Sequence, residues 1–119
     1  MIVAGFGFRS ETSLAALQDA LARAGGAEGV THLATLSAKA PGLAGLAAVL
    51  GLPVVAVAAE VLAGQAVLTQ SDRVSALHGT GSVAEAAALA AAGPGARLRG
   101  ARVVSANGTA TAAIAEGLA

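Results

Sequence analysis

The spacing of apolar residues along the chain changes several times, and each change marks an element. Ile2-Val3-Ala4-Gly5-Phe6 is an unbroken apolar run of strand length, and Gly7-Phe8-Arg9-Ser10 turns out of it. From about Thr12 to Ala24 the period becomes helical, with Leu14, Leu17 and Leu21 on one face and Gln18, Asp19 and Arg23 on the other. Asp19 and Arg23 are spaced i, i+4, which supports that polar face, and Gly25-Gly26 ends the helix. Thr31 to Ser37, with His32 and Thr35 among Val30, Leu33 and Leu36, reads as a second strand.

Pro41 predicts the start of the next helix, where its missing N–H costs nothing. That helix runs to Leu50 and is apolar nearly all round, which predicts burial on more than one side. Val54 to Ala58 has the character of a central strand covered on both faces, and a short helical turn follows from Glu60 to Gly64. Leu68 to Leu77 is the most polar stretch. Ser82 and Glu85 predict a capping box at the start of a helix from Val83 to Ala92, which Gly93-Pro94-Gly95 stops. Asn107-Gly108 between Arg102–Ala106 and Thr109–Ala115 predicts a hairpin with a type I′ turn, although the alanines of 110–118 also permit a helix. The expected architecture is α/β: a three-layer α/β/α sandwich whose mixed sheet ends in a C-terminal β-hairpin. Its length of 119 residues predicts a single domain over 1–119.

Composition narrows the function. Seven basic residues balance seven acidic ones, which excludes binding of nucleic acid or an anionic membrane by bulk charge. With 2% aromatic residues and no Trp or Tyr, stacking platforms for single strands are missing as well. Cysteine is absent, so there is neither a thiol nucleophile nor a thiolate metal site. The uncharged stretch from Ala40 to Ala59 has about the length that spans a bilayer. Gly51-Leu52-Pro53 divides it, however, and two buried elements in series account for it better than a membrane span. Arg9 falls after the first apolar run rather than before it, unlike a signal peptide, and a cytoplasmic location is expected.

Candidate chemistry gathers where predicted strands end. Gly5-Phe6-Gly7-Phe8-Arg9-Ser10 lacks the third glycine of a dinucleotide fingerprint, and Ser37 and Lys39 stand where its ribose-binding acid belongs. Gly5 and Gly7 still allow a ligand close to the backbone, and Arg9, Ser10, Thr12 and Ser13 at a helix start suit a carboxylate or phosphate. The alternative is that the glycines only turn the chain and the hydroxyls only cap the helix. Gly79, Thr80, Gly81 and Ser82 repeat this design before the later helix, without the lysine of a P-loop. Lys39 and Glu60 each follow a predicted strand, where open α/β sheets bind ligands; they serve equally well as charges at the solvent boundary. His32 and His78 are isolated from acid clusters, so no metal site is expected.

Taken in order, several short motifs resemble the cobalamin-biosynthesis family that includes CobE and the C-terminal domain of CbiG. They are Gly5-Phe6-Gly7-Phe8-Arg9-Ser10 with Thr12, Thr35-Leu36-Ser37-Ala38-Lys39 with Pro41-Gly42-Leu43, and Leu52-Pro53 with Glu60. Ser71 with Val74, Gly79-Thr80-Gly81-Ser82-Val83-Ala84-Glu85-Ala86 and Ala110 to Ala115 complete the series. Two positions depart from it: Glu11 replaces a common glycine, and Ala40 stands where many relatives place acids. The resemblance implies a role in building the corrin ring, with a precorrin or corrinoid as small-molecule partner and no cofactor. Full-length CbiG-type proteins are associated with opening a cobalt-precorrin lactone and releasing acetaldehyde. This chain is similar only to their C-terminal part, which favours the stand-alone CobE type. Substrate contacts are then expected from Gly5, Gly7, Arg9, Ser10, Thr12, Lys39, Glu60, Gly79, Thr80, Gly81 and Ser82. If the chain is a hydrolase, Lys39, Glu60 or Ser71 is expected to position water or polarise the lactone. The third expectation is a non-catalytic partner, a homodimer or a protein docking on another cobalamin-pathway enzyme through the apolar helix from Pro41 to Leu50.

Overall fold

Alternation along the first strand decides the layers. In the computed structural model, which describes residues 1–118, β1 (Ile2–Phe8) is followed by α1 (Leu14–Ala24) and β2 (His32–Leu36). A 3-10 helix (Ser37–Leu43) then runs into α2 (Ala44–Leu50), ahead of β3 (Val54–Val57) and α3 (Ala59–Ala63). α4 (Asp72–His78), α5 (Val83–Ala92), β4 (Arg97–Leu98), β5 (Val103–Val104) and β6 (Ala110–Glu116) complete the order. Ala4 and Phe6 point to one face of the sheet, where they pack with Leu17, Leu21, Leu33, Leu46 and Ile114 beneath α1 and α2. Val3 points to the other face and packs with Ala34, Val57, Leu62, Ala86 and Ala87 beneath α3 and α5. Gly5 and Gly7 share that second face, and Gly5 lies directly under α5. Helices therefore cover both sides of a mixed sheet, the expected sandwich.

Strand order is β3-β2-β1-β6-β4, with β5 also paired to β6. β1 runs parallel to β2 and antiparallel to β6, in register from Ile2↔Glu116 to Phe8↔Ala110. β1 is thus the buried centre, and β3 lies at an edge. This corrects the expectation that Val54–Ala58 is a central strand: Ala56 is exposed and Val54 and Val55 are only half-buried. The helix expected from Pro41 starts later, because Pro41 sits inside the 3-10 helix. Nor is α2 buried on several sides. Leu43 and Leu46 face the core, while Val49 is 58% exposed and Ala44, Gly45 and Ala48 lie open beside it.

Caps and turns follow local chemistry with one change. Of the two hydroxyls Thr12 and Ser13, it is Ser13 that caps α1, accepting from the Ala16 amide at 3.1 Å. The C-terminal hairpin forms, and Val103 and Val104 pair with Ala112 and Thr111. Its turn is not type I′, since Gly108 (φ 74) has positive φ and Asn107 does not. Instead the Gly108 amide donates to the Ser105 carbonyl at 2.9 Å, and Asn107 Oδ1 accepts from the Ser105 and Thr109 hydroxyls, both at 2.8 Å. Among the described residues no helix is long and apolar enough to cross a membrane, and Ala40–Ala59 is divided between helix and strand.

Candidate functional site

The carboxyl end of β1, the 3-10 helix beyond β2, the β5–β6 hairpin and the helix α4 enclose an open cleft of about 490 Å³. Gly7 and Phe8 come from the end of β1, and Arg9, Ser10 and Glu11 from the loop that follows. Lys39 enters from the 3-10 helix beyond β2. Ser71, Arg73, Val74, Leu77 and His78 form the α4 wall. Arg102, Val104, Gly108, Thr109 and Thr111 form the wall opposite in sequence, on and around the hairpin. Four of the chain's seven lysines and arginines line this one space, against a single acid, Glu11.

Local contacts hold the floor. Thr111 Oγ1 donates to the Gly7 carbonyl at 3.1 Å, and the Arg9 amide donates to the Thr109 carbonyl at 2.9 Å. Lys39 Nζ lies 5.6 Å from the centre of the Phe8 ring, a cation–π contact. The absence of a side chain at Gly42 makes room for that ring: a Cβ there would fall 2.5 Å from Phe8 Cε2. Arg9 and Glu11 approach only to 4.0 Å and are more than half exposed, so Glu11 neutralises Arg9 weakly. The cleft therefore offers cations above an apolar surface of Phe8, Val74, Leu77, Val83 and Val104. That combination suits a ligand with an apolar body and carboxylates at its rim.

The sequence-predicted residues divide. Gly7, Arg9, Ser10, Lys39 and Ser71 line the cleft. Gly5 does not reach it; α5 occupies the space above it, and a Cβ would lie 2.1 Å from the Ala84 carbonyl oxygen. Thr12 turns to Thr109, hydroxyl to hydroxyl, at 2.9 Å. Glu60 is exposed in the first turn of α3, beyond β3, and the edge position of that strand carries it about 10 Å of sheet away from β1. Gly79 is exposed behind α4, and Thr80, Gly81 and Ser82 are buried. The anion cradle expected at the start of α5 is closed off, because the Thr69 and Gln70 backbone packs onto Gly81.

Glu85 departs from the capping-box expectation. Its amide donates to Ser82 Oγ at 3.2 Å, but its side chain turns away from Ser82. Oε1 accepts from the Leu68 and Thr69 amides at 2.6 and 2.9 Å, and Oε2 from the Thr69 hydroxyl and the Arg102 amide, the latter at 2.8 Å. Burial pushes this carboxyl up. The Thr69 hydroxyl and the Arg102, Thr69 and Leu68 amides outweigh burial and hold it below the ordinary glutamate value. Ser71 Oγ likewise has a structural task, accepting from the Val74 amide at 3.4 Å as the cap of α4. Phe8, Arg73, His78 and Arg102 were not singled out from sequence as ligand contacts. The scarcity of cations is the signal that could have found Arg73 and Arg102, and only the fold brings them to the cleft that Lys39 lines. No group of acids and histidines among the described residues is placed to hold a metal.

Residues 2–115 match the family described as cobalamin synthesis G C-terminus. The chain belongs to that family. Its fold is also that of CobE, a protein from the cobalamin (vitamin B12) biosynthetic pathway, with 35% identity and a TM-score of 0.82 over 99% of this chain and 91% of that one. The cobalamin biosynthesis protein chiG from Agrobacterium tumefaciens is 39% identical, with a TM-score of 0.72 and all of both chains covered. A putative cobalamin biosynthesis protein G homolog from Sulfolobus solfataricus shares the fold at 16% identity and a TM-score of 0.72; 96% of this chain covers 36% of that one. No curated protein matches the sequence. Within the cobalamin synthesis G C-terminus family, this chain is a cobalamin-biosynthesis protein of the CobE and CbiG kind.

Proposed function

We propose that the chain, as a single domain, binds a precorrin or corrinoid intermediate in the cleft between β1 and α4 and presents it for a ring-modifying step. One observation carries this reading: Arg9, Lys39, Arg73 and Arg102 converge around an apolar floor in a chain with few charges. A corrin-type macrocycle has the matching form, a flat apolar body rimmed by acetate and propionate groups. The open cleft takes an edge and one face of such a ring, the cations meeting its carboxylates and Phe8, Val74 and Leu77 its body.

Hydrolysis of a cobalt-precorrin lactone is the second reading, because Lys39 and Ser71 line the same cleft. Glu60 stands outside it, which leaves the exposed Glu11 and His78 on the α4 wall as the acid–base groups of the lining, whereas the binding reading uses all four cations. Titration of a polycarboxylate corrinoid with the protein, followed by visible absorption, tests the first reading. The expected result is a saturable spectral shift, weakened roughly tenfold by Arg102→Ala or Lys39→Ala and unchanged by Glu60→Ala. No shift at about 100 μM protein, well above the affinity expected of several charge-assisted contacts, overturns it. Acetaldehyde released from a lactone substrate decides for the hydrolase.

A further inference from the structure

Glu85 is a fully buried charge that lies outside the cleft lining. Its four donors belong to two segments separated by many residues: Leu68 and Thr69 before the helix, Arg102 after it. The first segment leads directly into α4, which carries Arg73, Val74, Leu77 and His78 to one wall of the cleft. The second opens β5 and brings Arg102 and Val104 to another wall. α4 has no buried residue of its own, and Leu77 is 67% exposed, so its own packing does little to fix its position. A second tie, from the Ser71 amide to the Gly81 carbonyl at 3.1 Å, anchors the same segment at the start of α5.

We propose that Glu85 is a positioning residue: one carboxylate at the start of α5 sets the spacing between the α4 wall and the Arg102 wall. Arg73 and Arg102 then meet ligand carboxylates at a fixed separation, although Glu85 touches no ligand. Hydrogen bonds to an ionised acceptor are about twice as strong as neutral ones, which suits a segment that α4's own packing leaves loose and a strand β5 of only two residues. A cleft held open in this way spares the ordering cost that flexible walls impose on binding. The affinity part of this inference rests on the corrinoid reading of the cleft; the spacing part does not.

Amide hydrogen exchange and corrinoid titration on the whole chain, as native protein and as Glu85→Gln, test it together. The glutamine keeps the shape but lacks the charge and turns an NH2 group toward N–H donors. Exchange is expected to rise over residues 68–78 and 102–104 while β1 and β6 stay protected. Corrinoid affinity is expected to fall roughly tenfold. Combined with Arg102→Ala the losses are expected to be less than additive, and combined with Lys39→Ala to add. Unchanged exchange over 68–78 and at 102, or full additivity with Arg102→Ala, overturns the inference. If the native protein binds no corrinoid, the exchange result still decides the role of Glu85 and only the ligand reading falls. Should Glu85→Gln not fold, Thr69→Val removes one donor and leaves three; faster exchange confined to the same two segments supports the inference, and a uniform rise that includes β1 and β6 overturns it.

Discussion

Replacing Gly5 with alanine puts a methyl group where α5 already lies. The new Cβ falls 2.1 Å from the Ala84 carbonyl oxygen, 2.6 Å from the Ala88 nitrogen and 2.9 Å from Ala88 Cβ. Ordinary contact begins near 3.4 Å, so the carbonyl must recede by about 1.3 Å (3.4 minus 2.1). The two nearest atoms are backbone, and no side-chain rotation relieves them. α5 has to lift as a body, parting Ala86 and Ala87 from Val3 and Ala34 on the sheet. Overpacking of a core costs about 1–3 kcal/mol, and a rigid backbone neighbour puts this case at the upper end, about 3 kcal/mol. With a urea dependence of about 1.5 kcal/mol per molar, the unfolding midpoint falls by about 2 M. Far-UV circular dichroism reads the transition, since the chain has no Trp or Tyr. Gly45→Ala is the control: a Cβ there meets nothing within 4 Å, and a glycine-to-alanine change in a helix is worth up to about 1 kcal/mol of stabilisation. A Gly5→Ala midpoint within about 0.3 M of the native protein would refute the packing account, because that corresponds to well under 1 kcal/mol.

Two further outcomes follow from the site. The folded Glu85 carboxyl titrates below its unfolded value, so its contribution is complete above about pH 4.3 and is lost as pH falls through the lower folded value. Urea midpoints measured down to acid pH are therefore expected to drop for the native protein and to drop less for Glu85→Gln; parallel curves refute the assignment. In Gly42→Ala the new methyl lies 2.5 Å from Phe8 Cε2, but that neighbour is a side-chain ring able to rotate. Stability is expected to change by less than about 1 kcal/mol while the Phe8–Lys39 contact breaks and corrinoid affinity falls severalfold, measured by paired urea and spectral titrations.

Local pattern carried the elements further than their placement. The helical period that buries Leu17 and Leu21, the serine caps and the hairpin signal at Asn107-Gly108 all act within a few residues, and each has its counterpart in the structure; Leu14, expected on the same face, lies in the first turn and is 41% exposed. The edge position of β3 is a matter of strand order, which a run of valines does not encode: Val54-Val55-Ala56-Val57 reads alike at a centre or an edge. Glu60 left the site for that reason, having been placed by a strand end that the sheet puts elsewhere. Gly5 was misread through chemistry rather than position, since a glycine that admits a ligand also admits a helix, and here it admits α5. Glu85 fits a capping box by spacing alone, and only the arrival of Leu68, Thr69 and Arg102 from distant parts of the chain redirects its carboxylate. Arg9 and Lys39 were legible because their strands end side by side in the parallel pair β1–β2.

The pairing of β1 with β6 also bears on how the molecule comes to exist. Ile2 to Phe8 takes its antiparallel partner from Ala110 to Glu116, near the far end of the sequence. During synthesis β1 can join β2 early, but its other edge stays bare for about 5–20 s, the time ribosomes take to add the intervening hundred or so residues. Through that interval the sheet's central strand is an open template for another nascent chain, and closing it demands the longest loop in the fold. β6 is the strand that seals the centre, so the cell completes this core only once the ribosome has passed Glu116.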